Sequence, residues 1–208
     1  MAESSEPVTE QVWGTLLSGE RARRLVHASG AGLPALYLLG LITWPQVRLA
    51  YLFGSVLVAL LETFRLSVGL DWGIYDHLTR EYETDNVAGY ALYMLSSAAV
   101  AVLFEPQVAI PAILMLALGD PLSGMIASGE LRTVKRPKAL AAMFCICAVI
   151  ALPFLFEAPL AVVFGAAGGM VADGVKPTVR GYIVDDNLTI PPVAATAIWV
   201  GIEVTASL

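Results

Sequence analysis

Asp120 stands in the run Ala117-Leu118-Gly119-Asp120-Pro121, and Asp185 and Asp186 stand side by side directly before Asn187-Leu188-Thr189-Ile190-Pro191-Pro192. These carboxylates border stretches that are otherwise apolar. An ionisable side chain at mid-membrane costs ~2.5–3.5 kcal/mol on insertion scales, and such groups face a bundle interior or a cavity. Carboxylates are also the natural ligands of a hard divalent cation. Mg²⁺ commonly takes one or two of them and completes its shell with substrate phosphates and water. Cations able to grip phosphates occur in the basic run Glu130–Lys138, as Lys135, Arg136 and Lys138, and again as Lys176 and Arg180. Carboxylates for a metal and basic side chains for phosphates are the parts that phosphoryl or nucleotidyl transfer requires.

The local settings sharpen this reading. Gly119 permits close backbone approach, and Pro121 removes a backbone donor, so the helix should loosen at Asp120 and turn its carboxylate to a cavity. Before Pro191 and Pro192, Asn187 reads as the cap of a last helix, and Asp185 or Asp186 as the residue that holds the metal. Glu62 and Arg65, in Leu60-Leu61-Glu62-Thr63-Phe64-Arg65-Leu66, share one helical face. They are either a self-neutralising pair that stabilises the bundle or part of a binding site. His27 follows Arg23 and Arg24 at helical spacing. Its neighbouring cations would lower its pKa and leave a neutral donor or acceptor, or it is a core histidine beside arginines that anchor the interface. The run His77–Asn86, which carries Arg80 and Glu83, is by composition a solvated loop. Asp173, Lys176, Arg180, Asp185 and Asp186 are expected on one face of the molecule.

Several chemistries lack their parts. The chain has two histidines and no Ser/His elbow, which disfavours nucleophilic hydrolysis. It has neither a Walker lysine motif nor Gly-x-Gly-x-x-Gly. Gly165, Gly168 and Gly169, in Phe164-Gly165-Ala166-Ala167-Gly168-Gly169-Met170, read as a close helix contact. Cys145 and Cys147 read as buried thiols on different faces of a helix. No basic surface interleaved with aromatics suggests nucleic acid.

The elements that must position these residues are membrane helices. Only 14% of the 208 residues are charged, against about a quarter in an ordinary soluble domain, and 57% are hydrophobic. Mean hydropathy is +0.73. Residues 1–20 form a polar, acidic tail, which carries Glu3, Glu6, Glu10 and Glu20 and accounts for part of the net charge of −6. Residues 21–208 form one membrane-embedded domain. Apolar runs near twenty residues long predict an all-α bundle of seven spans: Leu25–Thr43, Val47–Val68, Val87–Phe104, Val108–Ile126, Ala139–Phe156, Leu160–Val175 and Leu188–Ser207. The first begins after Arg21 and reads as a retained anchor. With seven spans, every basic group except Arg48 falls on one face, which the positive-inside rule makes cytoplasmic. The N-terminus is then inside, and the charged inner loops carry the chemistry.

The order of these motifs resembles the CTP-dependent polyprenol kinase family, which includes dolichol kinase, phytol kinase and CTP-dependent diacylglycerol kinase. That family is distantly related to phosphatidate cytidylyltransferase. The likeness runs through Arg23–His27, Leu60–Leu66, Arg80–Leu95, Leu116–Ala127 and Asp185–Pro191. Arg132–Met143 keeps the basic part of the stretch that follows Gly-Asp-Pro and lacks its Glu-Gly-Ser part. Asp173 stands where the family often has Glu. The resemblance implies transfer of the γ-phosphoryl of CTP to the hydroxyl of a dolichol-like membrane alcohol, giving a lipid phosphate and CDP. It also implies Mg²⁺ or another divalent cation on Asp120 with Asp185 or Asp186, and phosphates steadied by Lys135, Arg136 and Lys138. Glu83 or His27 would take the hydroxyl proton, with Arg24, Glu62, Arg65, Arg80 and Asn187 lining the substrates. The expected partners are CTP, the lipid alcohol and the bilayer itself. The alternative enzyme is a CTP-dependent cytidylyltransferase that releases pyrophosphate. The alternative of another class is a small ion-coupled transporter or a non-catalytic membrane protein, for which an internal inverted repeat is the expected mark.

Overall fold

Prolines and glycines cut the apolar runs into helices. The computed structural model describes residues 27–68, 86–126, 134–179 and 182–208. Their helices are α1 (Gly32–Leu38), α2 (Trp44–Val68), α3 (Gly89–Leu103), α4 (Pro106–Leu114), α5 (Asp120–Ile126), α6 (Pro137–Leu155), α7 (Pro159–Gly174) and α8 (Asp186–Ala206). A two-residue antiparallel hairpin, β1 (Thr178–Val179) with β2 (Tyr182–Ile183), links α7 to α8. The expected all-α architecture holds. Helices α4, α6 and α7 each start with proline in the first turn, where the missing N–H has no intrahelical partner to lose.

Among the described residues, four helices are long and apolar enough to cross a membrane: Trp44–Ser67, Pro106–Ile126, Pro137–Leu155 and Asp186–Ala206. The shortest of these has 19 residues, and at ~1.5 Å per residue it matches a hydrocarbon core ~30 Å thick. They fall where the second, fourth, fifth and seventh spans were expected. Helices α3 and α7, of 15 and 16 residues, reach only ~22–24 Å. The first expected span is different again. Within the described residues it is a helical turn at 27–29 followed by the seven-residue α1. Gly40, at φ +71°, then ends α1. The Gly40 N–H donates to the Tyr37 carbonyl at 2.9 Å and the Leu41 N–H to that of Leu36 at 3.0 Å. This paired stop needs a left-handed residue, which glycine supplies without strain.

The surface of α2 is that of a helix in lipid. Leu49, Phe53, Val56 and Phe64 are all exposed, and its inner face rests on α3. There Gly54 admits the Met94 side chain, and the Ser55 hydroxyl donates to the Met94 carbonyl at 3.2 Å. The two helices run antiparallel and are tied at both ends. At one end Arg48, the cation that stood apart from the others in the sequence, donates through Nε to the Ala101 carbonyl at 2.8 Å. A guanidinium on the last carbonyls of a helix satisfies acceptors that have no internal donor and complements the negative end of its dipole.

Helices α7 and α8 form the closest pair. A methyl group at Gly201 would lie 2.4 Å from the Ala161 Cα, one at Gly165 would lie 2.4 Å from Ile198 Cγ1, and one at Gly168 would lie 2.9 Å from Ala197 Cβ. The Thr189 hydroxyl then donates to the Ala172 carbonyl at 3.3 Å. These contacts advance along α7 as they retreat along α8, so the pair is antiparallel, and small residues set its spacing as the glycine run predicts. Below the site, Met115, Met143, Cys147 and Leu116 are fully buried. Of the two cysteines, Cys147 is buried and Cys145 exposed, on opposite faces of α6.

Candidate functional site: a buried aspartate and lysine centre

The site begins with a defect in a helix. Between α4 and α5 the chain runs through a π-helical segment, Met115–Gly119, and the Asp120 N–H donates to the Met115 carbonyl. In an α-helix the Pro121 ring would meet the carbonyl four residues back. The wider turn relieves that clash, and such π segments recur at functional sites. The loosening expected at Gly-Asp-Pro is therefore present, and Gly119 lets Met143 of α6 approach to 3.3 Å from where a methyl group would sit. Asp120 leaves this break half-buried, with its carbonyl accepting from the buried Ser123 hydroxyl at 3.1 Å.

Two further aspartates meet it. Asp173, one residue before the end of α7, is wholly buried, and Asp186, the first residue of α8, is 3% exposed. One oxygen from each of Asp120, Asp173 and Asp186 lies within 4.8 Å of the others. The α7–α8 register brings Asp173 and Asp186 to the same end of their pair. Lys176 follows one turn after Asp173, and its Nζ lies 2.7 Å from Asp186 Oδ2. Lys135 comes from the segment just before α6. Its Nζ donates to Asp173 Oδ1 at 2.6 Å and lies 3.9 Å from Asp120 Oδ1. The backbone fixes its position, because Val134 bridges Val175 and the Lys135 N–H donates to the Gly174 carbonyl at 3.0 Å. Gly174 lets the Leu140 side chain approach closely, since a methyl group there would lie 2.1 Å from Leu140 Cδ2.

The oxygens of this cluster suit a hard divalent cation. Oxygens on opposite sides of one Mg²⁺ are ~4.2 Å apart and of one Ca²⁺ ~4.8 Å, with adjacent ones closer, so three oxygens all within 4.8 Å of one another lie within reach of a single ion. The second oxygen of Asp173, Oδ2, is buried and has no hydrogen-bond partner among the described residues. A buried carboxylate oxygen without a donor costs free energy unless a cation neutralises it. Three carboxylates face two ammonium groups, so the cluster as described holds one negative charge in excess when all are ionised.

The adjacent acids of the last helix divide their work. Asp185, extended at φ −76° and ψ 144°, is the N-cap, and its Oδ1 accepts from the Asn187 N–H at 2.9 Å and from Asn187 Nδ2 at 2.5 Å. The cap is therefore Asp185 and not Asn187, because only the residue that is still extended can turn its side chain back onto the first turn. Asp185 spends an oxygen on that cap, and Asp186 is the member of the pair that joins the cluster. Asn187 is buried between α8 and α3, with its carbonyl accepting from the Ser96 hydroxyl at 2.6 Å.

The other expected site residues are not among the three carboxylates and two ammonium groups that meet in this cluster. Glu62, 4% exposed, accepts from Arg65 Nε at 2.9 Å, from Arg65 Nη2 at 2.8 Å, from the Ala88 N–H at 2.9 Å and from the Tyr90 hydroxyl. Arg65 Nη2 also donates to the Asn86 carbonyl. Of the two readings open in the sequence, these contacts match a clamp between the end of α2 and the start of α3. His27 sets its ring edge-on against Tyr93, centroids 5.1 Å apart. Arg136 and Lys138 lie exposed at the start of α6. Arg24, Arg80 and Glu83 lie outside the described residues. Asp173 and Lys176 are the residues the sequence reading named without assigning to a site, and the signal for them was their spacing of one helical turn at the end of a glycine-rich span.

Fold and site together define an all-helical protein, consistent with a membrane protein, that gathers three aspartates and two lysines where its helices break or end. Comparison of the chain with protein-family models, with curated proteins and with solved structures finds no match in any of the three.

Proposed function

We propose that the chain is an integral membrane kinase of seven spans, with its N-terminus and its site on the cytoplasmic side. It transfers the γ-phosphoryl of CTP to the hydroxyl of a membrane isoprenoid alcohol. The observation that supports this best is the meeting of Asp120, Lys135 and Asp186. They come from three separate segments, each of which was read from the sequence as part of a metal and phosphate site. Their convergence with the buried Asp173 yields a cation site beside two ammonium groups, as a nucleotide triphosphate requires.

In the reaction the alcohol oxygen bonds to the γ-phosphorus, the bond from that phosphorus to the β–γ bridging oxygen breaks, and CDP leaves. Asp120 and Asp186, with Asp173, would hold Mg²⁺, which when bound neutralises phosphate charge. Lys135, Arg136 and Lys138 steady the phosphates, and Glu83 or His27 receives the hydroxyl proton. The remaining work is positioning, with no covalent intermediate on the protein. A bilayer setting suits the acceptor, whose chain stays in lipid while its hydroxyl reaches the helix ends.

The test is turnover of labelled CTP and ATP by the purified chain in lipid, with a panel of prenols and diacylglycerol. CDP and a lipid phosphate are the expected products, and pyrophosphate in place of CDP would identify a cytidylyltransferase. Asp120→Asn and Asp186→Asn should each lower kcat at least a hundredfold. Full turnover in both variants refutes the assignment.

A further inference from the structure

The Lys135 ammonium lies against the carboxylates that could share a divalent ion. It touches Asp173 at 2.6 Å and sits 3.9 Å from Asp120, so one positive charge spans two of the three. An ammonium and a metal cannot both take that position. The two partners of this ion pair are also unequal. The Asp173 side chain is wholly buried and fixed in α7, while the Lys135 side chain is 20% exposed. Four rotatable bonds join its ammonium to a backbone that the bridge at Val175 keeps in place. Lys135 therefore has a way out and Asp173 has none. The carboxylates hold a second cue, since Asp173 Oδ2 is buried without a hydrogen-bond partner among the described residues although Lys135 satisfies Oδ1. The Lys135 ammonium thus answers only one of the two oxygens of Asp173.

We infer that Lys135 is an exchangeable counter-ion: a divalent cation bound by Asp120, Asp173 and Asp186 displaces its ammonium, which then turns to the phosphates of the incoming nucleotide. Metal and nucleotide binding are coupled through one side chain. Without metal, Lys135 closes the site and offsets part of the charge of the buried aspartates. With metal, the local balance turns positive and a free ammonium stands beside it, which favours an anionic ligand. No bond is made or broken in the exchange. The metal half rests only on the geometry of the cluster, and the nucleotide half rests on the kinase reading above.

The experiment is Mn²⁺ titration of the full chain in detergent, read by the electron spin resonance of the free ion, first without nucleotide. Lys135→Met should tighten Mn²⁺ at least tenfold, and Asp173→Asn should weaken it at least tenfold. If Lys135 served only to order the site, Lys135→Met would weaken Mn²⁺, and that result overturns the inference. Through-space repulsion alone would also tighten binding, so displacement is read directly. Acylation of Lys135 by a water-soluble amine reagent, followed by peptide mass mapping, should speed up at least fivefold in saturating Mg²⁺. An unchanged rate overturns the exchange. Lys135→Gln, whose amide still donates to Asp173, replaces Lys135→Met if the latter does not fold. A non-hydrolysable CTP analogue should then tighten Mn²⁺ in the wild type and not in the variant. If the exchange is seen but CTP neither binds nor turns over, the exchange stands and the kinase reading falls. If CTP turns over and Lys135 labelling ignores Mg²⁺, the kinase stands and the exchange falls.

Discussion

Glu62 offers a clean separation of clamp from site. Each of its oxygens accepts two donors: Oε1 takes Arg65 Nε and the Tyr90 hydroxyl, and Oε2 takes Arg65 Nη2 and the Ala88 N–H. Glu62→Gln keeps the shape but turns an NH₂ toward one of these pairs, so two buried donors lose their acceptor, and the charge that balances Arg65 is gone. Each orphaned donor costs ~1–3 kcal/mol, and breaking a buried ion pair from one side costs ~3–5 kcal/mol in all. The expected loss for Glu62→Gln is therefore about 3–5 kcal/mol, which is on the order of 10 °C in melting temperature for a chain of this size. Arg65→Met should cost a similar amount. Glu62→Leu with Arg65→Met removes both charges and leaves the Ala88 and Tyr90 donors and the Asn86 carbonyl to find new partners, so the double variant should cost well under the sum of the singles. A coupling of about 2 kcal/mol or more follows, because the pair shares one network. The assay is reversible unfolding in mixed micelles, with KM for CTP measured on the folded fraction. A loss below about 1 kcal/mol for Glu62→Gln refutes the clamp. So does a coupling near zero, or a rise in KM with stability unchanged.

Two other expectations are sharp. Asp185→Asn should leave stability within ~0.5 kcal/mol and preserve Mn²⁺ binding, because asparagine caps a helix as well as aspartate does, whereas Asp185→Ala should cost ~0.5–2 kcal/mol; loss of Mn²⁺ binding in Asp185→Asn would place that residue in the metal set. Gly201→Leu should separate α7 from α8, because even its first carbon would lie 2.4 Å from the Ala161 backbone; overpacking of this kind costs ~1–3 kcal/mol or more. The chain should still insert while Mn²⁺ affinity drops at least tenfold, and unchanged affinity would show that this glycine contact does not set the Asp173 and Asp186 alignment.

How much of this was legible in the sequence depended on how local the cause was. Gly119 and Pro121 act within one turn of Asp120, so the break at that residue could be read from three letters. The same holds for the prolines that open α4, α6 and α7 and for the glycine stripe of α7. Asp185 and Asp186 show the limit of local reading. Which of them caps depends on where the last extended residue falls, a difference of one position that composition does not carry. The short α1 was hidden for another reason. Hydropathy sees one apolar run from Leu25 to Thr43, while the stop is a backbone conformation at Gly40. Asp173 was hardest, because its partners lie on other helices. Its place beside Asp120 follows from the α6–α7 contact at Gly174 and Leu140, and its place beside Asp186 from the α7–α8 register.

Asp173 is also where the fold departs furthest from what stability alone would select. It is wholly buried and lies in the last turn of α7, where the helix dipole is negative and disfavours a carboxylate. Asp186, by contrast, sits in the first turn of α8, where the dipole favours it, and it has Lys176 at 2.7 Å. Asp173 has one ammonium on one oxygen and, among the described residues, no hydrogen-bond donor on the other. A leucine or methionine at this position, with a matching apolar residue in place of Lys135, would remove a buried charge pair, and such replacements are often neutral or stabilising. The surrounding helices do nothing to avoid the cost. Gly174 and the bridge at Val175 instead bring Lys135 in, and the π segment turns Asp120 toward the same spot. Backbone features of two separate segments thus maintain an arrangement that apolar residues could replace without loss of stability. Local rules broken together at one place point to a functional site. On the reading proposed above, the ligand that such a cluster of carboxylates serves is a divalent cation.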